Sequence, residues 1–241
     1  MKSCLTVTAL WLRRSLRPLV MLVLVLFAAD AAAFFLVLRG HAREGLEAVL
    51  AAAHIGLIAA VVFLLLCAWL FYIGGEFSAR QSYTIRRLSV SPLGSFLARW
   101  SACCVCFVIL WGAQTATVIG LCLLYRRFGP AELWSGQAVL LASYRNEFVH
   151  GLLPLHDAVV WVRNAFLCLS LGAAAARMPS QTRKIGIFPL LAILTVCWFR
   201  HALGSFVLDL FLFLLSAIVI GVELYRAAAR GEEDDGVTQT V

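Results

Sequence analysis

Charge is scarce in this sequence: only 14% of its 241 residues are Asp, Glu, Lys or Arg, against about 25% in ordinary soluble domains. Water is therefore not its main solvent. Also missing is the Gly-x-x-x-x-Gly-Lys-Ser/Thr loop whose backbone cradles the phosphates of a nucleotide, so the chain has no known means of hydrolysing ATP alone. His-Glu-x-x-His and Gly-x-Ser-x-Gly are absent as well, which leaves no zinc-protease or esterase signature. No carboxylate or histidine cluster marks the cytoplasmic side for lipid chemistry. The chain is not read as an enzyme, and no cofactor or metal of its own is expected.

What is present is apolar. Hydrophobic residues make up 62% of the chain and the mean hydropathy is +0.91, in runs too long for the core of one soluble domain to absorb. Taking about 20 residues per bilayer crossing, spans are expected at Pro18–Leu38, Val49–Ile73, Ser101–Leu124, Ala158–Ala176, Ile185–Phe199 and Ser205–Tyr225. The fold class is an all-α polytopic membrane bundle of about six helices. The fifth run is the shortest, so a five-span chain with one re-entrant segment is the alternative. Arg13, Arg14 and Arg17 before an apolar run resemble a signal peptide. The length of that run, Asp30 within it and the spans that follow favour a retained helix.

The net charge of +7 brings nucleic acid to mind, but the basic residues are scattered among short loops with no basic domain, so nucleic acid is not an expected partner. Their distribution sets orientation instead. Counting alternate connections puts 13 Lys and Arg on one side, among them Lys2, Arg13, Arg87, Arg177 and Arg226, and six on the other. Both termini are thus expected in the cytoplasm. The eight cysteines lie mostly in or beside apolar runs and are read as reduced packing residues. Residues 1–230 form one transmembrane domain, and the acidic tail Gly231–Val241 is expected to be disordered. His150, His156 and Asp157, close together in the long outer connection Tyr125–Asp157, are read as a solvated loop rather than a metal site.

The cytoplasmic connection between the second and third spans is the most informative stretch. From Glu76 to Ser91 it reads as a short amphipathic helix ending before Pro92. Phe77, Gln81, Ile85 and Leu88 share a mostly apolar stripe, with Arg80, Arg86 and Arg87 flanking it or facing water. Such a helix lies on anionic lipid or docks in a groove on a partner.

Tyr83-Thr-Ile-Arg-Arg-Leu-Ser-Val-Ser91 resembles the corresponding segment of ABC-2-type transporter permeases, which often reads Tyr-Thr-x-x-Arg-Leu-x-Val/Ile-Ser. The resemblance implies a coupling helix at about 76–91 whose Phe77, Arg80, Tyr83, Thr84, Ile85, Arg86, Arg87 and Leu88 contact a separate cytoplasmic ABC ATPase subunit. ATP and magnesium would be held by that ATPase. It further implies a homodimer, or a heterodimer with a related permease, in a bacterial cytoplasmic membrane, exporting a hydrophobic or amphipathic substrate. The family often has small helices before its last span, for which Arg200–Gly204 leaves little room. The alternative is a non-transporting scaffold or sensor that recruits a cytoplasmic partner.

Within the spans, Asp30, His54, Gln114 and Arg163 are costly to bury in lipid and, counted along their helices at about 1.5 Å per residue, all fall in the outer half of the bundle. They are expected to form a polar cluster lining or closing an outward cavity, with interhelical bonding as the plain structural alternative. The small-residue run Gly172–Ala176 is expected to permit close helix packing.

Overall fold

A computed structural model of the protein describes residues 2–41, 44–87, 91–129, 135–154, 158–177, 187–200 and 206–238, with side chains left undescribed at 2–4, 73–87, 143, 198, 200 and 230–238. The described residues contain helices and no strand: α1 (Lys2–His41), α2 (Leu46–Ala52), α3 (Ile55–Arg87), α4 (Pro92–Phe128), α5 (Gly136–Arg145), α6 (Glu147–Leu152), α7 (Ala158–Ala176), α8 (Phe188–Arg200) and α9 (Phe206–Thr238). Five of them, α1, α3, α4, α7 and α9, are long and apolar enough to cross a membrane. Only helices satisfy every backbone donor and acceptor within one segment, as a hydrocarbon surround demands. Leu24, Leu36, Leu65, Leu123, Val207 and Ile218 are exposed on the outside of the bundle, where lipid covers them. The protein is an integral membrane helix bundle.

Side-chain contacts fix the relative directions of α1, α4, α7 and α9. Arg99 lies over the ring of Trp11 at 5.5 Å and Gln114 bonds Asp30, so α1 and α4 run parallel. Trp100 donates to the carbonyl of Leu169, while the rings of Trp111 and Trp161 meet at 5.3 Å, so α4 and α7 are antiparallel. Ion pairs join Arg163 to Asp209 and Arg177 to Glu223. Both pairs span 46 residues, so α7 and α9 run parallel and in constant register. The beginning of α1 and the end of α9 therefore lie at the same face.

Parallel α7 and α9 require the chain to return across the bundle between them. α8 carries that return with 13 residues, which rise about 20 Å. That is short of the roughly 30 Å hydrocarbon core, and α8 is too short to count among the full-length crossings. Four of the long helices overshoot. α1 has 40 residues, α4 37, and α3 and α9 33 each, or about 50–60 Å. The excess lies mainly at the terminal face, where Val7 and Trp11 pack on Ala98 and Ala102, and Phe96 on Ala173, Ala176 and Ala227.

Several boundaries differ from the sequence reading. The second span begins at Ile55, because residues 46–52 form the separate helix α2 and the chain turns at Ala53–His54, with His54 at φ 49°. The helix expected at about 76–91 is not a separate element. α3 continues without a break to Arg87, since Gly74 and Gly75 each cost only about 1 kcal/mol relative to alanine in a helix that is already nucleated. Ser91 then caps α4, its Oγ accepting from the Gly94 N–H at 3.1 Å, with Pro92 at the first helical position. The tail expected to be disordered from Gly231 is helical in α9 as far as Thr238, continuing the strongly helix-forming Arg226–Arg230.

The small-residue run does lie at a close contact. A Cβ on Gly172 would strike Cys104 Sγ and come within 3.1 Å of Trp100 Cδ1, whereas one on Gly112 would meet nothing within 4 Å. Gly172→Val is expected to destabilise the bundle by about 1–3 kcal/mol through overpacking. Thermal unfolding in detergent should show a clear drop for Gly172→Val and little change for Gly112→Val.

Candidate functional site

The end of the bundle opposite the chain termini is roofed by short helices. α2, α5 and α6 pack over α1 and α4 through Leu46, Val49, Ala142 and Val149 against Phe34, Leu38, Leu121 and Tyr125. Polar caps start the two outer helices: Ser135 Oγ accepts from the Ala138 N–H at the head of α5, and Asn146 Oδ1 from that of Val149 at the head of α6. The end of α6 is held from two sides. Trp111 Nε1 donates to the carbonyl of Leu152 at 3.0 Å and Asn164 Nδ2 to that of Gly151 at 2.9 Å. The Phe148 ring fits against Gly56, where an added Cβ would stand 3.0 Å from it.

Beneath this roof is a partly open cavity of about 130 Å³. Its apolar wall comes from six elements, with Leu26 on α1, Phe63 on α3, Leu110 on α4, Leu152 on α6, Leu171 on α7 and Val196 on α8. Gln114, Asn164 and Thr195 are the polar side chains on its wall, and among the described residues no charged side chain lines it.

The four intramembrane residues singled out from the sequence divide into two groups, and one lies apart. Asp30 is fully buried on α1 and accepts from Gln114 Nε2 at 3.0 Å. Arg163 does not pair with Asp30. Its Nη1 meets Asp209 Oδ1 at 2.5 Å, and its Nε and Nη2 donate to Asn164 Oδ1 at 3.2 and 2.9 Å. His54 is exposed at the α2–α3 corner. It belongs to neither group because the second span starts after it, and histidine is among the residues enriched at positive φ.

Sequence reasoning missed Asp209 and Asn164. Asp209 is the one acid of the last apolar run before Glu223, and an arginine inside a neighbouring span requires such a counter-charge. Asn164 stands next to Arg163 and carried no separate signal. At the other face Glu223, 3% exposed, receives both Arg177 at 2.9 Å and Arg226 at 3.4 Å. Of the segment resembling a coupling helix, 77–87 lies on the backbone of α3, but the side chains of Phe77, Arg80, Tyr83, Thr84, Ile85, Arg86 and Arg87, and the whole of Leu88, are outside the described residues.

Cys103 and Cys106, spaced as Cys-x-x-Cys, are both free and buried on α4. Among the described residues no group of three His, Cys, Asp or Glu is placed to hold a metal ion. His156 and Asp157 lie outside them, and the ring of His150 instead sits 5.6 Å from that of Tyr144. Compared with protein families, with characterised proteins and with solved structures, the chain matches none.

The arrangement separates two tasks. Arg163, Asp209 and Asn164 join α7, α9 and α6 and leave no charge facing the cavity, while Asp30 and Gln114 place a polar group on its wall. Removing one partner of a buried ion pair leaves the other uncompensated, at about 3–5 kcal/mol. Arg163→Met and Asp209→Leu should each lower the unfolding temperature in detergent markedly. The double variant should recover most of that loss, and failure to recover would mean that the two charges do not act as a pair.

Proposed function

We propose that the chain is the membrane-spanning permease subunit of an ABC-2-type exporter, driven by a separate cytoplasmic ATPase and moving a hydrophobic or amphipathic molecule outward. The observation that carries the reading is the continuity of α3. One end of this helix bears the Tyr83–Arg87 part of the family-like segment, and the other bears Gly56, Ala59, Ala60 and Phe63 on the cavity wall. The polar and charged stretch from Glu76 to Arg87 extends α3 by about 18 Å past its apolar run.

Such a helix acts as a lever. A partner that closes on ATP and pushes the segment near Leu88 displaces α3 as a rigid body, and the displacement arrives at the cavity wall. Energy has to come from outside the chain, since the sequence carries no phosphate-cradling loop. A bundle with both ends at one face also suits a subunit that meets its motor on that side. Nucleotide and magnesium belong to the ATPase, and a second permease, identical or related, completes the transporter.

The experiment is purification of the tagged chain in mild detergent with whatever accompanies it, followed by an ATPase assay. A stoichiometric ATPase subunit is expected, and Leu88→Asp is expected to abolish its stimulation while the chain still inserts in the membrane. A chain that carries no nucleotide-binding partner, or a Leu88→Asp variant with full stimulation, would replace the permease reading with that of a non-transporting scaffold.

A further inference from the structure

At the face that carries the chain termini, Glu223 is buried on α9 and gathers two arginines on one atom. Its Oε1 accepts from Nη1 of Arg177, the residue that follows α7, at 2.9 Å, and from Nη1 of Arg226, one turn further along α9, at 3.4 Å. The two nitrogens are thereby no more than about 6.3 Å apart. Each guanidinium has five N–H donors, and among the described residues each makes only this one bond. Two guanidinium groups against one carboxylate leave a net positive charge, and the arginine side chains are 36% and 49% exposed.

The pair sits at the depth of a lipid headgroup. The membrane-crossing α7 has 19 residues and is about 28 Å long, nearly the roughly 30 Å of the hydrocarbon core, and Arg177 is the first residue past its end. On α9 the apolar Ile218 and Val222 are exposed, and Arg226 comes next in the same four-residue row. Exposed Tyr225 stands beside it, as tyrosines do at a membrane–water boundary.

We infer that Arg177 and Arg226, drawn together on Glu223, form a site between α7 and α9 for the phosphate of an anionic phospholipid in the leaflet at the terminal face. Two oxygens of one phosphate, each accepting at about 2.8 Å, bridge guanidinium groups this close. The acyl chains lie along the row of Ile218 and Val222, where the helix is exposed and apolar. Basic pockets between membrane helices hold anionic headgroups on the same physical terms. The net positive charge selects a headgroup that carries phosphate without a cationic amine, so phosphatidylglycerol is preferred to phosphatidylcholine. A free phosphate has the same charge chemistry but no chains for the apolar row, so the lipid is the source assigned. This assignment does not depend on a partner ATPase or on transport.

The test uses the full chain, stripped of lipid in a neutral detergent and titrated with phosphatidylglycerol or with phosphatidylcholine of the same acyl chains, with bound lipid counted by native mass spectrometry. Phosphatidylglycerol is expected to saturate one site and to bind about tenfold more tightly. Arg177→Gln and Arg226→Gln should each cut that preference about fivefold, the worth of one arginine near an anionic headgroup. Arg17→Gln, which removes an exposed arginine of α1 toward the same face, should leave it unchanged. Glycerol 1-phosphate, which offers the headgroup phosphate without chains, should not displace the lipid. Equal binding of the two lipids by the unaltered chain would overturn the inference, and displacement by glycerol 1-phosphate at comparable concentration would replace the lipid with a free phosphate. An undiminished preference in both arginine variants, or an equal loss in Arg17→Gln, would reduce the site to a general attraction of the basic face and overturn it as well. The first two outcomes are read on the natural sequence, so they stand even if a variant fails to fold.

Discussion

Arg163 and Asp209 face each other inside the bundle, with side chains about 7% and 10% exposed. Neither has enough water to be stable alone. Their mutual attraction, completed by the Asn164 oxygen on the remaining guanidinium donors, is what permits both charges to be there at all. The geometry of the outer half follows from it. The pair sets α7 parallel to α9, and Arg177 with Glu223 repeats the same offset toward the other face. Parallel neighbours force the chain back through the bundle, and the 13-residue α8 is the described element of that return. Asn164, held by Arg163, in turn reaches Gly151 and fixes the end of α6 above the cavity.

The two faces of the molecule are built on different terms. At the terminal face long helices continue past the apolar belt and pack on one another through tryptophan, phenylalanine and alanine. At the opposite face the chain uses short helices with polar caps, folded down over α1 and α4. The cavity lies under that roof, and α1, α3, α4 and α7 each run from its wall to the packing at the terminal face. Exposed Glu47 and Arg145 link α2 to α5 at 3.2 Å. A pair so open to solvent contributes at most about 1 kcal/mol, so the roof rests mainly on its apolar underside.

Much of the fold could be read from the sequence because hydrocarbon imposes a length and a composition on anything that crosses it. The runs at 18–38, 101–124 and 158–176 fall within helices of the structure, as does 205–225 from Phe206 onward. Boundaries were less legible, since a span and a surface helix are equally apolar where they meet. Nothing in Val49–Ala52 distinguishes the end of α2 from the beginning of α3. Placing His54 at a depth in the membrane inherited that ambiguity, and its exposed position at the turn after α2 removed it from the polar cluster. Asp30 and Gln114 were recognisable because each is a lone polar group in an apolar run, but which of them would meet was a matter of helix neighbours. The partner of Arg163 could have been sought among the acids of the other spans, where Asp209 and Glu223 are the two candidates in the last run.

The 46-residue separation of Arg163 and Asp209 also bears on how the chain is made. Synthesis proceeds at about 5–20 residues per second, so α7 is complete for a few seconds before its counter-charge exists. During that interval an arginine-bearing helix has no favourable place in open lipid. α7 must then wait at the insertion machinery, or lean on α4 through Gly172 and the tryptophans, until α9 arrives. A later helix thus releases an earlier one into the membrane, and assembly of α7, α8 and α9 becomes a single event rather than three successive ones.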